Sequence, residues 1–105
     1  IAGLSMGGGH TISASTMYPK LFDYICPLSA AGAATVEQLQ ALKKEGVKLY
    51  WVGCGKTDFL WEGNQKLIQN LKDAGLEHTF YVSEGGHIWA NWRLYLQTFT
   101  PLLFK

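Results

Sequence analysis

The residues with the clearest chemical potential lie at the start of the chain, where Gly3–Gly7 has the sequence GLSMG. This stretch fits the pattern G-x-S-x-G, in which a sharp turn between a strand and a helix presents a serine hydroxyl above a sheet. Such a turn strains the serine backbone, so we expect glycine at Gly3 and Gly7 to remove side chains that would clash. Ser5 is therefore the candidate nucleophile, and the Met6 N–H is a candidate donor to a developing oxyanion.

A serine hydroxyl becomes a useful nucleophile when a neighbouring base takes its proton, and the chain offers three histidines for that role. His10 lies in the helix expected behind the serine, where a packing or surface role is the better reading. His78 stands at the start of a predicted strand, at the far end of the sheet from the serine. His87 follows the carboxyl end of a strand after two glycines, so it is predicted as the general base over the alternative of a helix-capping or solvated residue.

The base needs a third group that holds its orientation, and in sites of this type the chain order is serine, carboxylate, histidine. Asp58 lies in the loop that leaves a predicted strand at its carboxyl end, between the other two members in sequence. Glu62 and Glu84 are nearby rivals, but Glu62 suits the first turn of the next helix and Glu84 suits the loop before the histidine. Asp58 is therefore predicted as the orienting carboxylate.

The elements that must position these residues alternate between strand and helix. Apolar runs predict strands at 1–4, 22–28, 47–54 and 77–83. Helices are expected at 10–18, between an N-cap at Thr35 and a closing Gly46, at 64–74 and from His87 onward, with a turn at 5–9 and a loop at 55–63. This alternation predicts a mostly parallel α/β sheet with helices on both faces, whose chemistry gathers at the carboxyl ends of the strands.

Length and composition limit the class of protein further. A chain of 105 residues suits one domain over 1–105, and its content of 48% hydrophobic and 16% charged residues is that of a globular protein. The net charge of +1 gives no reason to expect nucleic acid or an anionic membrane as a partner. No apolar run approaches the ~18–20 residues of a membrane span. Cys26 and Cys54 lie in apolar runs, which favours buried free thiols over a disulfide.

Several motifs occur together and cover essentially the whole chain. They are IAGLSMGG at Ile1–Gly8, GCG at Gly53–Gly55 with DFL at Asp58–Leu60, GGH at Gly85–His87 with Trp89, Trp92 and Arg93, and the terminal Tyr95, Leu96 and Pro101–Phe104. In combination they resemble the esterase D-like family, and most closely the feruloyl and acetyl xylan esterases of carbohydrate esterase family 1. The resemblance implies an α/β-hydrolase fold, of which this chain would be the C-terminal portion.

The resemblance also implies a reaction, which is hydrolysis of carboxylic esters through an acyl-enzyme, without a metal or an organic cofactor. Ser5 would be the nucleophile, His87 the general base and acid, and Asp58 the orienting carboxylate. The expected substrates are feruloyl or acetyl esters of plant cell-wall polysaccharide, which would place the enzyme in a secreted or periplasmic location. Two alternatives stay open: an acyltransferase or thioesterase with the same triad, and an incomplete fragment that only associates with its missing half.

The first residues of the chain read as the end of a strand rather than the start of a domain. We therefore expect the N-terminal strands, and the loop that gives the second oxyanion N–H in this family, to lie outside the chain. A sheet edge left unpaired in this way would favour self-association. Of Trp61, Trp89 and Trp92, which are expected near the site, Trp61 is the predicted substrate contact, against the alternative that most of the three close the core under the last helix.

Overall fold

One sheet flanked by helices makes up the computed structural model, which describes residues 1–104. The strands are β1 (Ala2–Leu4), β2 (Tyr24–Leu28), β3 (Leu49–Gly55) and β4 (Thr79–Ser83). The helices are α1 (Met6–Met17), α2 (Val36–Glu45), α3 (Trp61–Ala74) and α4 (Trp89–Phe99), followed by a 3₁₀ turn at Thr100–Leu102.

The four strands are all parallel and lie in the order β1-β2-β3-β4. The register pairs Leu4 with Leu28 and Leu28 with Gly53, and it pairs Gly55 with Ser83. The carboxyl ends of neighbouring strands therefore lie side by side. The loops that follow β1, β3 and β4, which carry the three predicted catalytic residues, consequently open onto one edge of the sheet.

Helices cover both faces of the sheet, as predicted, but they are unequally divided. A right-handed crossover between successive adjacent strands always returns over the same face, so α1, α2 and α3 share one side. The α4 helix follows the last strand and packs on the other side. The core on the first side is made of Ile12, Ile25, Leu39, Leu42, Tyr50, Val52, Leu67, Leu71 and neighbours, and the core under α4 is made of Cys26, Leu28, Trp51, Trp92, Tyr95 and Phe99.

The predicted ends of α2 are confirmed by its capping geometry. The Thr35 hydroxyl accepts a hydrogen bond from the Gln38 N–H at 3.2 Å, and the Gln38 side chain accepts one from the Thr35 N–H at 2.9 Å. This reciprocal pair is a capping box. Gly46 ends the helix in the left-handed conformation, with φ of 85°.

The first helix begins earlier than its residue types indicate. The sequence predicts a turn at 5–9, but the structure has α1 starting at Met6, so this prediction is wrong. The helix forms although Gly7, Gly8 and Gly9 are poor helix formers. A Cβ on Gly8 would lie 2.7 Å from the Ala30 Cβ, and one on Gly9 would overlap a backbone carbonyl of the same loop. Close packing against the loop after β2 therefore outweighs the weak propensity of the glycines.

The two later helices also differ at their starts. The α3 helix begins at Trp61 rather than Asn64, and α4 begins at Trp89 rather than His87. His87 therefore lies in the loop before α4, so a helical backbone does not set the direction of its side chain.

The remaining sequence predictions concern the surface and the thiols. Within residues 1–104, no helix is both long enough and apolar enough to span a membrane. In the same range β1 pairs with β2 on one side only, so association through its other edge stays a prediction. Cys26 and Cys54 are buried and free, as predicted. Burial raises the pKa of Cys26 to about 11 and that of Cys54 to about 12.

Candidate active site

Ser5 occupies the turn between β1 and α1 in a strained backbone conformation. Its φ of 56° and ψ of −118° lie in a region that non-glycine residues rarely adopt. The end of β2 and the loop after it hold it there, because the Ser5 N–H donates to the Leu28 carbonyl at 2.9 Å and the Ser5 carbonyl accepts from the Ala31 N–H at 2.9 Å. A further bond comes from the Gly9 N–H at 3.2 Å. The predicted elbow is therefore present, and its strain is sustained by several hydrogen bonds.

The two glycines that flank Ser5 in the pattern have different roles. A Cβ on Gly3 would overlap the Gly7 carbonyl and lie 2.7 Å from the Thr11 hydroxyl, so glycine is required there by space. A Cβ on Gly7 would meet no atom within 4 Å outside the backbone of its own helix. The expectation that both glycines prevent clashes is confirmed for Gly3 and wrong for Gly7.

Met6 is the first residue of α1. The N–H groups of a first helical turn have no acceptor within the helix, and they carry its partial positive charge. The Met6 side chain is exposed, so its apolar surface is open to a bound molecule. The geometry is compatible with the predicted oxyanion donor, and that role stays a prediction.

The structure brings Ser5, Asp58 and His87 together, although Ser5 and His87 lie 82 positions apart in the chain. The His87 Nε2 atom is 2.9 Å from the Ser5 Oγ, and its Nδ1 atom is 2.9 Å from the Asp58 Oδ2. With Asp58 ionised, Nδ1–H donates to the carboxylate and Nε2 is left to accept the Ser5 hydroxyl proton. This arrangement can abstract a proton from the serine.

Asp58 is held rigidly at the base of the site. Its side chain is fully buried beside His87, and its second oxygen, Oδ1, accepts a hydrogen bond from the Leu60 N–H at 2.8 Å. The rivals are directed elsewhere: Glu84 is exposed and pairs with Lys56 at 3.3 Å, and Glu62 lies exposed in the first turn of α3. The buried carboxylate is thus the one preferred from the sequence.

The loop that carries His87 is tied down by a residue that the sequence analysis did not single out. Asn91, in the first turn of α4, is buried, and its side-chain N–H donates to the Gly86 carbonyl at 2.8 Å. The Thr57 N–H donates to the Gly85 carbonyl at 3.1 Å, which joins this loop to the loop of Asp58. A polar residue on the otherwise apolar buried face of α4 is the signal that points to Asn91.

Aromatic rings surround the His87 imidazole. The Phe59 ring lies 4.8 Å away between centroids, and the Trp92 ring lies 5.0 Å away and almost perpendicular. Trp92 is buried, and its indole N–H donates to the Ser29 hydroxyl at 3.2 Å. Trp92 is therefore a fixed ring beside the imidazole, tied to the residue after β2, whereas Phe59 is an exposed ring beside it.

Three residues weighed in the sequence analysis, Trp61, His78 and His10, make other contacts or face solvent. Trp61 stacks on Phe80 of β4, with 5.5 Å between ring centroids, and its role as a substrate contact stays a prediction. His78 forms a 2.8 Å hydrogen bond between its ring nitrogen and the Leu76 carbonyl, and His10 is exposed on α1. Among residues 1–104, no cluster of histidine, cysteine and acidic side chains is arranged to hold a metal ion.

Comparison with known proteins gives three relevant similarities. An endo-1,4-β-xylanase/feruloyl esterase of Xylanibacter ruminicola is 38% identical over the whole chain, which covers 14% of that protein. An acetyl esterase of Caldicellulosiruptor saccharolyticus is 29% identical over 91% of the chain and 37% of its own length. A solved ferulic acid esterase superposes with a TM-score of 0.83 at 26% identity, over 97% of this chain and 49% of that one. No protein-family profile matches the chain.

The solved structure and the parallel sheet together define an α/β-hydrolase fold over the part of a domain that this chain spans, which confirms the predicted fold class. Within that fold the chain is similar to carbohydrate esterases, since both curated relatives are named esterases, and the resemblance stated from the motifs is confirmed. The chain covers 14% and 37% of the lengths of these relatives, so the activity of the whole protein is a proposal.

Proposed function

We propose that this chain carries the nucleophile, base and orienting acid of a serine carboxylesterase. The observation that carries the proposal is the pair of 2.9 Å contacts that link Asp58, His87 and Ser5 in one line, with the serine on a strained elbow. Such a line of carboxylate, imidazole and hydroxyl is the arrangement that activates serine toward acyl groups. The names of the relatives support an ester as the substrate.

The first half of the reaction acylates the serine. His87 Nε2 accepts the Ser5 hydroxyl proton as Oγ attacks the ester carbonyl, and the new oxyanion is stabilised by the Met6 N–H. The bond to the alcohol then breaks, and His87 Nε2 donates the same proton to the departing alkoxide. Asp58 accepts the Nδ1–H bond throughout, which holds the ring and stabilises its positive charge.

The second half releases the acid. Water gives a proton to His87 Nε2 and attacks the acyl carbon, and collapse of the second tetrahedral intermediate returns that proton to Ser5. We propose that a second oxyanion donor comes from a segment outside this chain, as the resemblance implies. Loss of one oxyanion donor typically costs about 10²–10³ in rate.

The substrates that we propose are feruloyl or acetyl esters of plant cell-wall polysaccharide. The similarity to a xylanase/feruloyl esterase and to an acetyl esterase supports this class. A net charge of +1 favours neither nucleic acid nor an anionic membrane as a partner.

A fluorophosphonate probe tests the nucleophile directly, because it phosphonylates only an activated serine. In the full-length protein we expect labelling at Ser5, absent in Ser5→Ala. Hydrolysis of an aryl ester should fall about 10⁶-fold in Ser5→Ala and in His87→Ala, and about 10⁴-fold in Asp58→Asn, which leaves the imidazole misoriented. Failure of wild-type Ser5 to react would refute the proposal. A dominant transfer product in the presence of alcohol or thiol acceptors would identify an acyltransferase or thioesterase instead.

A further inference from the structure

Four rings beside the site contact one another in succession, and we call them the aromatic row: Phe59, His87, Trp92 and Trp89. Successive ring centroids are separated by 4.8, 5.0 and 5.0 Å. The two terminal rings are exposed, Phe59 to 77% and Trp89 to 68%, whereas Trp92 is buried. Large aromatic side chains left in solvent on either side of a reactive imidazole form an apolar surface that a bound molecule can cover.

The position of Phe59 beside His87 determines which half of an ester it would meet. After Ser5 attacks, His87 Nε2 must deliver its proton to the oxygen of the departing alcohol, so that alcohol lies next to the imidazole. Phe59 packs on the imidazole and presents its free surface to solvent. The alcohol half of the ester is therefore the part that comes within reach of this ring, and the acyl group remains attached to Ser5.

The charges of the two loops that carry Phe59 and His87 favour a neutral ligand beside Phe59. The charged side chains of the two loops, apart from the buried Asp58 paired with His87, are Lys56 and Glu84, which pair with each other at 3.3 Å. An open aromatic face suits a molecule that is flat and apolar on one side and hydroxylated around its edge, because the hydroxyls stay in water while the C–H face covers the ring.

We propose that Phe59 is a specificity residue that binds the leaving alcohol, and that this alcohol is a sugar stacked on the ring by its C–H face. The proposal rests on the proposed function, since it requires acyl transfer to Ser5. The proposal assigns the aromatic row to the alcohol half of the substrate. The row binds the sugar during acylation and makes no substrate contact after the sugar has left.

The experiment compares two esters that share one acyl group. That group is acetyl or feruloyl, according to which of the two the wild-type protein hydrolyses faster. One ester is formed with a methyl pentoside and the other with methanol. Phe59→Ala is measured beside Phe59→Tyr, which keeps the ring, and beside Trp89→Ala, whose ring packs on Trp92. The matched control is Phe104→Ala, because Phe104 is 84% exposed but packs on Tyr24 at the opposite end of the sheet.

We expect wild-type kcat/KM to be higher for the sugar ester than for the methyl ester. Phe59→Ala should lower the value for the sugar ester about two- to tenfold, the range for loss of one aromatic contact, and leave the methyl ester unchanged. Trp89→Ala should act in the same direction, while Phe59→Tyr and Phe104→Ala should match the wild type. Hydrolysis of the preformed acyl-enzyme should be unaffected in Phe59→Ala, because the alcohol is absent from that step.

Three results would overturn the proposal. An equal loss on both esters would mean that Phe59 only positions His87, and slower hydrolysis of the acyl-enzyme would mean that it contacts the acyl group. A wild-type enzyme without preference for the sugar ester would also exclude it. In each case the proposed function would still stand if the wild-type protein is labelled at Ser5 by fluorophosphonate and hydrolyses esters. If the wild-type protein does neither, the proposed function and this inference are both refuted.

Discussion

The two glycines of the Ser5 elbow give a sharp test, because they are equivalent in the sequence pattern and different in the structure. In Gly3→Ala, the new methyl group would overlap the Gly7 carbonyl, lie 2.5 Å from the Gly7 carbonyl carbon and approach the Thr11 hydroxyl to 2.7 Å. In Gly7→Ala, the methyl group would find open space beyond its own helix. The same chemical change thus probes a crowded and an empty position two residues from the nucleophile.

The magnitudes follow from what each methyl group meets. Two of the atoms facing Gly3 are backbone atoms of α1, which cannot move without shifting the start of that helix and the turn at Ser5. Overpacking of this kind costs about 1–3 kcal/mol, and we expect the upper end of the range for Gly3→Ala. Gly7→Ala replaces a glycine within a helix, so it should leave the free energy of unfolding unchanged or raise it by up to about 1 kcal/mol.

Urea unfolding and ester hydrolysis of the full-length variants measure both effects. We expect Gly3→Ala to unfold at lower urea and to lose at least about 100-fold in kcat, since a misplacement of about 1 Å at a reacting group has that effect. Gly7→Ala should retain wild-type stability and fluorophosphonate labelling. If Gly3→Ala were as stable and active as the wild type, or if Gly7→Ala were equally damaged, the reasoning from space around the elbow would be refuted.

Two further perturbations address the loop of the base and the buried thiols. Asn91→Ala removes the hydrogen bond to the Gly86 carbonyl and so frees the loop that carries His87. We expect kcat to fall about tenfold or more, with KM little changed. An unaltered kcat and pH–rate profile would contradict this role. The folded protein raises the pKa of Cys26 to about 11 and of Cys54 to about 12, above the ordinary value of 9.0, so only the unfolded chain ionises readily between these values. The free energy of unfolding should therefore fall as pH rises above about 9, and Cys26→Val with Cys54→Val should reduce that fall; an identical pH dependence in the double variant would count against it.

The sequence was sufficient to predict the fold class and the three residues that meet at the edge of the sheet. Parallel strands joined by helices open their carboxyl ends on one edge, so loop position separates His87 from His10 and His78. Asp58 was preferred to Glu62 and Glu84 because those two suit a first helical turn and the loop before the histidine. The capping box at Thr35 was equally predictable, because it depends on residues three positions apart. These features follow from local patterns together with the topology.

The features that were missed depend on contacts between distant segments. The start of α1 at Met6 depends on packing against the loop after β2, which outweighs the poor propensity of three glycines. The difference between Gly3 and Gly7 depends on which of them faces the helix backbone. Phe59 against His87 and Asn91 against Gly86 are side-chain placements that no spacing rule indicates.

The loop after β2 shows why such contacts matter for the chemistry. Together with the last residue of β2 it holds both sides of the strained Ser5, through the Leu28 carbonyl and the Ala31 N–H. Its Ser29, itself at a positive φ of 44°, accepts a hydrogen bond from the Trp92 indole that packs on His87. A segment of small residues that contributes no reacting group therefore fixes the nucleophile directly and the base through one aromatic ring. Ser5 is hydrogen-bonded to this loop, and His87 packs on the Trp92 ring that is hydrogen-bonded to it. A shift of the loop would therefore disturb the 2.9 Å Ser5–His87 contact and alter catalysis without substitution of any triad residue.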